Sequence, residues 1–219
     1  MNFDKAERAT RKVAGTSFYE RRVLPWLIEL CMRSKEARRY RERVIPQAAG
    51  RVLEIGIGSG LNLPFYGAGV DHLLALEPSP ELRRMAGRRT RGARFAVEFL
   101  DRSAEEIPLE RGSVDTVVTT WTLCTIPDAI RALREMRRVL KPGGVLLFVE
   151  HGLAPDPGVR AWQDRLNPLW NRIGGGCNLN RKIDMMIIES GFRLDELETE
   201  YAKGLKPMSF MYRGRARPA

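Results

Sequence analysis

Apolar residues along the chain fall into short continuous runs, separated by turns rich in glycine and proline and by stretches with helical spacing. Continuous apolar runs are typical of strands buried on both faces of a parallel sheet. Runs of this kind occupy residues 51–55, 72–77, 95–100, 113–120 and 145–150. This alternation of strands and helices from residue 51 to 150 predicts an α/β domain with a doubly wound parallel sheet. Any ligand is then expected at the carboxyl ends of the strands.

Periodic spacing predicts the helices. From Pro127 to Leu140 the apolar residues recur every three or four positions, and Lys141 to Gly144 is expected to end that helix. A later helix is predicted over residues 181–190, and two final strands over 193–201 and 208–213. Seven strands in total follow from these predictions.

An amphipathic segment precedes the first strand, between Phe18 and Met32. A helix there places several apolar side chains near one face, and Pro25 splits or kinks it. We expect that face to cap the sheet as a lid, with an interfacial membrane helix as the alternative. The apolar residues are Phe18, Val23, Trp26, Leu27, Leu30 and Cys31.

The first strand runs into three glycines at alternate positions, Gly56, Gly58 and Gly60. Glycine accepts unusual dihedral angles and carries no Cβ, so this loop allows a ligand to approach the backbone closely. The dinucleotide pattern G-x-G-x-x-G requires a glycine at position 61, where the chain has Leu61. A phosphate-binding P-loop is excluded because no Gly-Lys-Ser/Thr follows.

The second strand ends in Glu77, seventeen positions after Gly60. A carboxylate offers two acceptor oxygens to the paired hydroxyls of a ribose. Glu77 is therefore a candidate ribose acceptor rather than an ordinary solvated acid at a strand end.

These motifs together resemble those of the class I S-adenosylmethionine (SAM) dependent methyltransferases. The resemblance rests on Glu-x-Gly-x-Gly-x-Gly from Glu54 to Gly60, on Glu77, and on Arg-Val-Leu-Lys-Pro-Gly-Gly ending at Gly144. It implies a single-domain, Rossmann-like α/β fold with a seven-stranded, mostly parallel sheet flanked by helices. It also implies SAM as cofactor and S-adenosyl-L-homocysteine as product. The cofactor-binding residues that it implies are Tyr19, Glu54, Gly56, Gly58, Gly60, Asn62, Glu77, Pro78, Ser103, Ala104, Thr120 and Trp121.

One position departs from that family. Many relatives have an aspartate that accepts from the adenine amino group, whereas this chain has Ser103, with Asp101 two residues earlier. The adenine contact is left open between them.

The chain after the fifth strand is expected to select the methyl acceptor. Its Glu150-His151, Trp162-Gln163, Pro168-Leu-Trp170 and Gly176-Cys-Asn-Leu-Asn-Arg181 resemble the thiol-methylating members of the family. This resemblance ranks S-methylation of a small, fairly apolar thiol first. The core also resembles the ubiquinone and menaquinone C-methyltransferases, and phospholipid or amine N-methylation and a non-catalytic SAM-binding protein are further alternatives.

His151 is the candidate catalytic residue, because an imidazole at a strand end can take a proton near neutral pH. A structural histidine is an equal alternative. Methyl transfer from SAM requires no covalent intermediate, so Cys124 and Cys177 are interpreted as buried packing residues. Trp121, Trp162 and Trp170 either belong to the core or wall an acceptor pocket. The cysteine and histidine spacing predicts no metal site.

The chain has 37 Lys and Arg, 27 Asp and Glu, and a net charge of +10. The positive charge is scattered and the motif for a flipped base is absent, so the sequence argues against a nucleic-acid substrate. Weak peripheral attraction to an anionic membrane is an alternative. The three cysteines, the polar start and the absence of a spanning segment predict a cytoplasmic enzyme with no obligate protein partner.

The predicted organisation therefore has three parts. Residues 1–50 form an N-terminal helical cap, 51–150 the SAM-binding core, and 151–219 an acceptor-site insertion and the C-terminal strands of the same domain.

Overall fold

A seven-stranded sheet organises the computed structural model, which describes residues 18–219. The sheet order is β3-β2-β1-β4-β5-β7-β6. The strands are β1 (Gly50–Ile55), β2 (Val70–Leu76), β3 (Ala96–Leu100), β4 (Val114–Thr120), β5 (Leu140–His151), β6 (Phe192–Tyr201) and β7 (Phe210–Pro218). The helices are α1 (Leu24–Met32), α2 (Lys35–Val44), α3 (Pro80–Arg89), α4 (Ala129–Val139), α5 (Pro157–Ile173), α6 (Ile183–Glu189) and α7 (Lys206–Ser209). The predicted α/β fold with a mostly parallel sheet is confirmed.

The strand order reverses direction at β1, between its neighbours β2 and β4. Strands β1 to β5 are parallel, and Ile55 at the end of β1 pairs with both Leu76 and Thr119. The carboxyl ends of β1, β2 and β4 therefore lie together at one edge of the sheet. A crevice at such a reversal is the usual ligand site of an open α/β sheet.

Two apolar layers cover the faces of the sheet. Leu133 and Met136 of α4 and Ile187 of α6 belong to the core on one face. Tyr40 and Val44 of α2 belong to the core on the other. Helices on both faces explain why the central strands are apolar without alternation.

The N-terminal helix differs from the prediction. A π-helical turn (Tyr19–Val23) leads into α1, with Pro25 in the first turn, where its missing N–H breaks no helical hydrogen bond. The apolar side chains expected to face the sheet are exposed, Trp26 by 60% and Leu30 by 71%. The buried residues of α1 are Pro25 and Glu29. Helical spacing identifies an apolar face but not its direction, and the buried ionic contacts of Glu29 turn that face outward.

Element boundaries also shift. Strand β5 begins at Leu140, so residues 141–144, predicted as a turn, belong to the start of this strand. Helix α4 begins at Ala129 because the Asp128 side chain accepts a hydrogen bond from the Arg131 N–H and caps it. Within residues 18–219, no helix combines the length and apolar character needed to cross a bilayer.

Candidate active site

The loop after β1 has the backbone that its glycines predict. Gly56, Gly58 and Gly60 have φ angles of +65°, +58° and +83°, which are strained for other residues. A Cβ at Gly56 would come within 2.6 Å of the Thr122 side chain. A Cβ at Gly58 would meet nothing nearer than 3.9 Å. The loop therefore leaves open space above Gly58, at the reversal point of the sheet.

Glu77 is joined to this loop. Its carboxylate accepts hydrogen bonds from the Gly58 N–H at 3.0 Å and the Ser79 N–H at 2.9 Å. The side chain is buried, and burial raises its pKa while the two backbone donors partly oppose the rise. Pro78 lies between Glu77 and Ser79 in the sequence. The predicted ribose acceptor and the glycine loop thus form one unit.

A buried polar network holds the glycine loop after β1 in place. Both carboxylate oxygens of Glu54 accept hydrogen bonds at 2.8 Å, one from Asn62 Nδ2 and the other from the Tyr66 hydroxyl. Asn62 also donates to Thr120 Oγ1 at 3.0 Å and accepts from Arg41 Nε at 2.8 Å. Burial raises the pKa of Glu54 to about 7. Glu54 therefore fixes the loop through Asn62, with neither oxygen left unpaired.

The Ser103 side chain is occupied within its own turn. Its hydroxyl donates to Glu105 Oε2 at 2.9 Å and accepts from the Glu105 N–H at 3.2 Å. Ala104 beside it is buried. Asp101 is exposed and pairs with Arg83 at 2.7 Å. The adenine contact of Ser103 or Asp101 therefore stays a prediction.

Trp121 follows β4 in a strained conformation. Its φ angle is +50°, unique among the non-glycine residues described, and strain of this kind tends to cluster at functional sites. The Arg41 guanidinium lies 5.0 Å from the centre of its ring, and Tyr40 packs against it edge to face. Trp121 therefore connects the end of β4 to the polar network around Glu54.

Glu150 organises the loop after Trp121. Its carboxylate accepts from Thr119 Oγ1 at 2.8 Å and from the backbone N–H groups of Thr122 and Leu123 at 2.9 and 3.1 Å. The side chain is fully buried, and burial raises its pKa to about 7. Glu150 thus fixes the loop that carries Cys124.

His151, the candidate catalytic residue, lies at the end of β5 beside two cysteines. Its Nε2 atom is 3.1 Å from Cys177 Sγ, and the Trp170 indole N–H donates to the same sulfur at 3.2 Å. The reactive atoms of Cys124, His151 and Cys177 all lie within 4.8 Å of one another. The Cys124 thiol and the His151 imidazole lower the pKa of Cys177 to about 4. Burial opposes protonation of His151, but contact with Cys177 raises its pKa.

Two further side chains hold the chain after β5 in place. Gln163 is buried and joins the backbone of Gly152, Ala154, Leu179 and Pro207 through hydrogen bonds of 2.9 to 3.1 Å. Arg181 donates to the carbonyl oxygens of Leu123 and Ile126. The loop after α5 is thereby attached to the loop after β4.

Helix α1 lies over the glycine loop through polar contacts. Glu29 accepts hydrogen bonds from the hydroxyl of Ser59, within the loop, and from Arg89 Nη2 at 2.6 Å. Just before α1, the Tyr19 hydroxyl donates to the carbonyl oxygen of Ile173 at 2.8 Å. The N-terminal segment thus contacts both the glycine loop and the end of α5.

Similarity to known proteins identifies the central segment. A family model described as a methyltransferase domain matches residues 53–148. The structure of an S-adenosylmethionine dependent methyltransferase from Mesorhizobium loti superimposes with a TM-score of 0.63 at 18% identity, covering 84% of this chain and 98% of that one. The chain contains a class I SAM-dependent methyltransferase domain.

Similarity extends beyond this methyltransferase domain in two curated relatives. Thiol S-methyltransferase TMT1B of Rattus norvegicus is 35% identical over 155 residues, which are 67% of this chain and 62% of that protein. Demethylmenaquinone methyltransferase of Clavibacter sepedonicus is 31% identical over 121 residues, 55% of this chain and 49% of that protein. The match therefore spans less than two thirds of either relative.

The methyltransferase domain brings most of the predicted site residues to one edge of the sheet. The glycines, Asn62, Glu77, Thr120 and Trp121 adjoin one another through the contacts described above, whereas Tyr19 and Ser103 are engaged elsewhere. Sequence reasoning missed Arg41, and it named Glu150, Gln163 and Arg181 only as parts of a resemblance, without the positioning roles that the structure gives them. The first three of these side chains are buried and Arg181 is half-buried. For Glu150, the available signal was a charged residue at the end of a buried strand. For Gln163, it was an amide residue within an apolar helical face. Trp162 is 55% exposed and stacks with Arg165, so it does not belong to the core.

Proposed function

We propose that the chain is a SAM-dependent S-methyltransferase acting on a small, fairly apolar thiol. The observation that carries the proposal is the contact between His151, at the end of β5, and Cys177, in the loop after α5. It adjoins the Trp121–Cys124 loop, on the acceptor side of the cofactor crevice. The two segments that meet there are the ones whose sequence resembles the thiol-methylating proteins.

The reaction is a direct displacement. The acceptor sulfur attacks the methyl carbon of SAM, the bond from that carbon to the sulfonium breaks, and its electron pair returns to the sulfur of S-adenosyl-L-homocysteine. Since SAM is already activated, the protein chiefly aligns the reactants and excludes water. Glu77 holds the ribose at the glycine loop. The half-buried Arg181 interacts electrostatically with Cys124 and Cys177, and its positive charge favours an anionic thiolate over the neutral thiol.

Calorimetry with SAM tests the cofactor site. Replacement of Glu77 by alanine is expected to weaken binding at least about tenfold, since a buried pair of acceptor oxygens is lost. Glu98→Ala, which removes an exposed carboxylate from the neighbouring strand β3, is the matched control and is expected to bind as the parent does. If the Glu77 variant and the parent bind SAM with equal affinity, Glu77 is not part of the cofactor site.

A SAM-consumption screen over thiols, phenols, amines and quinols tests the acceptor. Turnover of alkyl or aryl thiols is expected to rise with pH through the acceptor's own pKa, about 8.5 for a simple thiol. Activity confined to quinols would favour C-methylation, the candidate supported by the similarity to demethylmenaquinone methyltransferase. SAM binding without turnover of any acceptor would indicate a non-catalytic binding protein.

The outer face of α1 is proposed as a weak contact with anionic membranes, in addition to its role as a lid. Phe18, Trp26 and Leu30 are 78%, 60% and 71% exposed, and Arg33 and Arg88 line one cavity together with Trp26 and Leu30. Apolar side chains beside cationic ones are typical of interfacial helices. Flotation with anionic vesicles is expected to show partial binding that Trp26→Ser and Leu30→Ser together abolish. Strong binding that is lost on deleting residues 1–32, with turnover retained, would contradict the lid.

A further inference from the structure

Three segments far apart in the sequence deliver soft ligand atoms to one place. Cys124 comes from the loop after β4, His151 from the end of β5 and Cys177 from the loop after α5. Sequence spacing does not reveal such a cluster. Cys124 lies 27 positions before His151, and Cys177 lies 26 positions after it, whereas the ligand pairs of a zinc finger are only a few residues apart. Two thiols and an imidazole are ligands that zinc prefers.

We propose that Cys124, His151 and Cys177 bind one Zn²⁺ ion and leave its fourth coordination position open for the acceptor sulfur. The second part of this proposal rests on the proposed thiol S-methyltransferase function. The metal site itself does not.

The geometry needs only small adjustments to accept the ion. Zinc bonds of about 2.3 Å to sulfur and about 2.0 Å to nitrogen place tetrahedral ligand atoms roughly 3.5–3.8 Å apart. The His151 Nε2 to Cys177 Sγ distance is 3.1 Å, and no pair among the three atoms exceeds 4.8 Å. Rotations about the side-chain bonds of Cys124 and Cys177 cover differences of this size.

The surroundings of the sulfurs are those of a metal thiolate. The Trp170 indole N–H donates to Cys177 Sγ at 3.2 Å, as outer-shell donors do at zinc–thiolate sites. The backbone around Cys124 is fixed, because its carbonyl oxygen accepts from Asn178 Nδ2 and from the Asn178 N–H, each at 2.9 Å. Two ligands are thereby held together before any metal binds.

The cluster is partly accessible to solvent. Cys124 is 2% exposed and Cys177 9% exposed, while His151 is partly exposed. Cys124 Sγ also contacts the Trp121 carbonyl oxygen at 3.6 Å, which places the cluster against the strained turn at the end of β4. Three protein ligands with one accessible position are typical of catalytic rather than structural zinc sites.

The bound metal gives the acceptor thiol a specific route to its reactive form. The thiol coordinates zinc and releases its proton to water, and the resulting thiolate attacks the methyl carbon of SAM. The sulfonium bond breaks, and its electrons stay with S-adenosyl-L-homocysteine. The neutral thioether product is a poorer zinc ligand than the thiolate and leaves. His151 acts as a ligand in this scheme, and the metal replaces it in promoting loss of the proton.

Metal titration of the reduced, full-length chain, purified without a histidine tag, tests the site directly. We expect one equivalent of Zn²⁺ in competition with a chromophoric chelator, and sulfur-to-metal charge-transfer absorption when Co²⁺ replaces it. Cys124→Ser and Cys177→Ser are expected to lose the site, whereas Cys31→Ser, which alters an exposed cysteine outside the cluster, retains it. Trp170→Phe is expected to weaken binding about 10–100-fold, as loss of an outer-shell donor does.

Zinc titration of the unsubstituted protein tests the metal site even if a cysteine variant fails to fold. Absence of stoichiometric binding, or a Cys31 variant that loses as much zinc as the Cys177 variant, would overturn the proposal. Thiol turnover by metal-free protein would refute the role of zinc and leave the thiol methyltransferase function intact. Conversely, stoichiometric zinc without thiol turnover in the SAM-consumption screen would refute the function and leave the metal site intact.

Discussion

Glu29 on α1 and Arg89 on α3 form a partly buried ion pair with a 2.6 Å contact between Oε1 and Nη2. The Glu29 side chain is 7% exposed, and Arg89 also donates to the Ser59 carbonyl oxygen in the glycine loop. Because the apolar side chains of α1 point outward, this pair is a principal attachment of the helix to the domain. Without Arg89, the buried Glu29 carboxylate keeps the more distant Arg33, at 3.9 Å, and this weaker pairing is destabilising.

We therefore expect Arg89→Ala to release α1 locally while the sheet remains folded. Hydrogen exchange of residues 24–32 is expected to accelerate, and the KM for SAM to rise about tenfold, equivalent to roughly 1.4 kcal/mol. Arg88→Ala is the control, because the adjacent Arg88 makes no ion pair with Glu29. Unchanged exchange of α1 in the Arg89 variant would show that other contacts hold this helix.

Gly58 offers a second test, since its φ of +58° disfavours other residues while the space around its missing Cβ is open. Gly58→Ala is expected to cost about 1 kcal/mol of folding free energy and to weaken SAM binding at least about tenfold by filling the cradle. Gly143→Ala is a matched control, with φ of +79° and equally open surroundings at the start of β5. It is expected to lose similar stability in urea unfolding but no SAM affinity. Equal SAM binding by both variants would place the cofactor elsewhere.

Glu54 makes stability depend on pH. Burial raises its pKa from 4.5 to about 7 in the folded protein, Glu77 adds to the rise, and Tyr66, Asn62 and Arg41 oppose it. Between these two values the folded state binds more protons than the unfolded state, so this contribution to stability falls as pH rises. Above pH 7, ionised Glu54 lowers the free energy of unfolding by the full amount, of order 3 kcal/mol.

Substitution of Glu54 by glutamine removes the ionisation. The difference in unfolding free energy between Glu54→Gln and the parent is therefore expected to shift in favour of the variant from pH 4.5 to pH 7.5. Urea unfolding at a series of pH values measures it. Parallel curves for the two proteins would mean that Glu54 titrates normally.

Gln163 provides a test of how the chain after β5 is held in place. Gln163→Met keeps the approximate volume but leaves the Ala154 N–H and several carbonyl oxygens buried without partners, at a cost of roughly 2–3 kcal/mol. Gln47→Met, at an exposed position with one backbone contact, is expected to change stability by less than about 0.5 kcal/mol. Comparable urea midpoints for the two variants would contradict the role assigned to Gln163.

The sequence predicts the central part of the molecule well because local rules and tertiary structure agree there. Apolar runs identify β1, β2 and β4, and glycines at positive φ identify the loop after β1. Those signals lie within a few residues of one another. The adjacent Glu77 is consequently located with its partners Gly58 and Ser79.

Prediction fails where an element depends on contacts across the chain. The outward face of α1 depends on Arg89 and Ser59, which lie at least thirty residues from Glu29. Cys124, His151 and Cys177 come together only because Glu150, Arg181 and Asn178 bind backbone groups in other loops. Such long-range polar contacts leave no periodicity in the sequence.

The antiparallel pairing of β7 has a consequence for synthesis on the ribosome. β7 lies between β5 and β6, and among the strands within residues 18–219 β6 pairs only with β7. While the chain is being made, β6 therefore emerges without a partner, and the edge of β5 from Leu146 to His151 stays open until residues 211–216 have left the exit tunnel. The sheet is complete only when β7 pairs with both β5 and β6. A nascent chain stalled before residue 210 would expose an unpaired strand edge near the cluster that contains His151, a state prone to association with other chains.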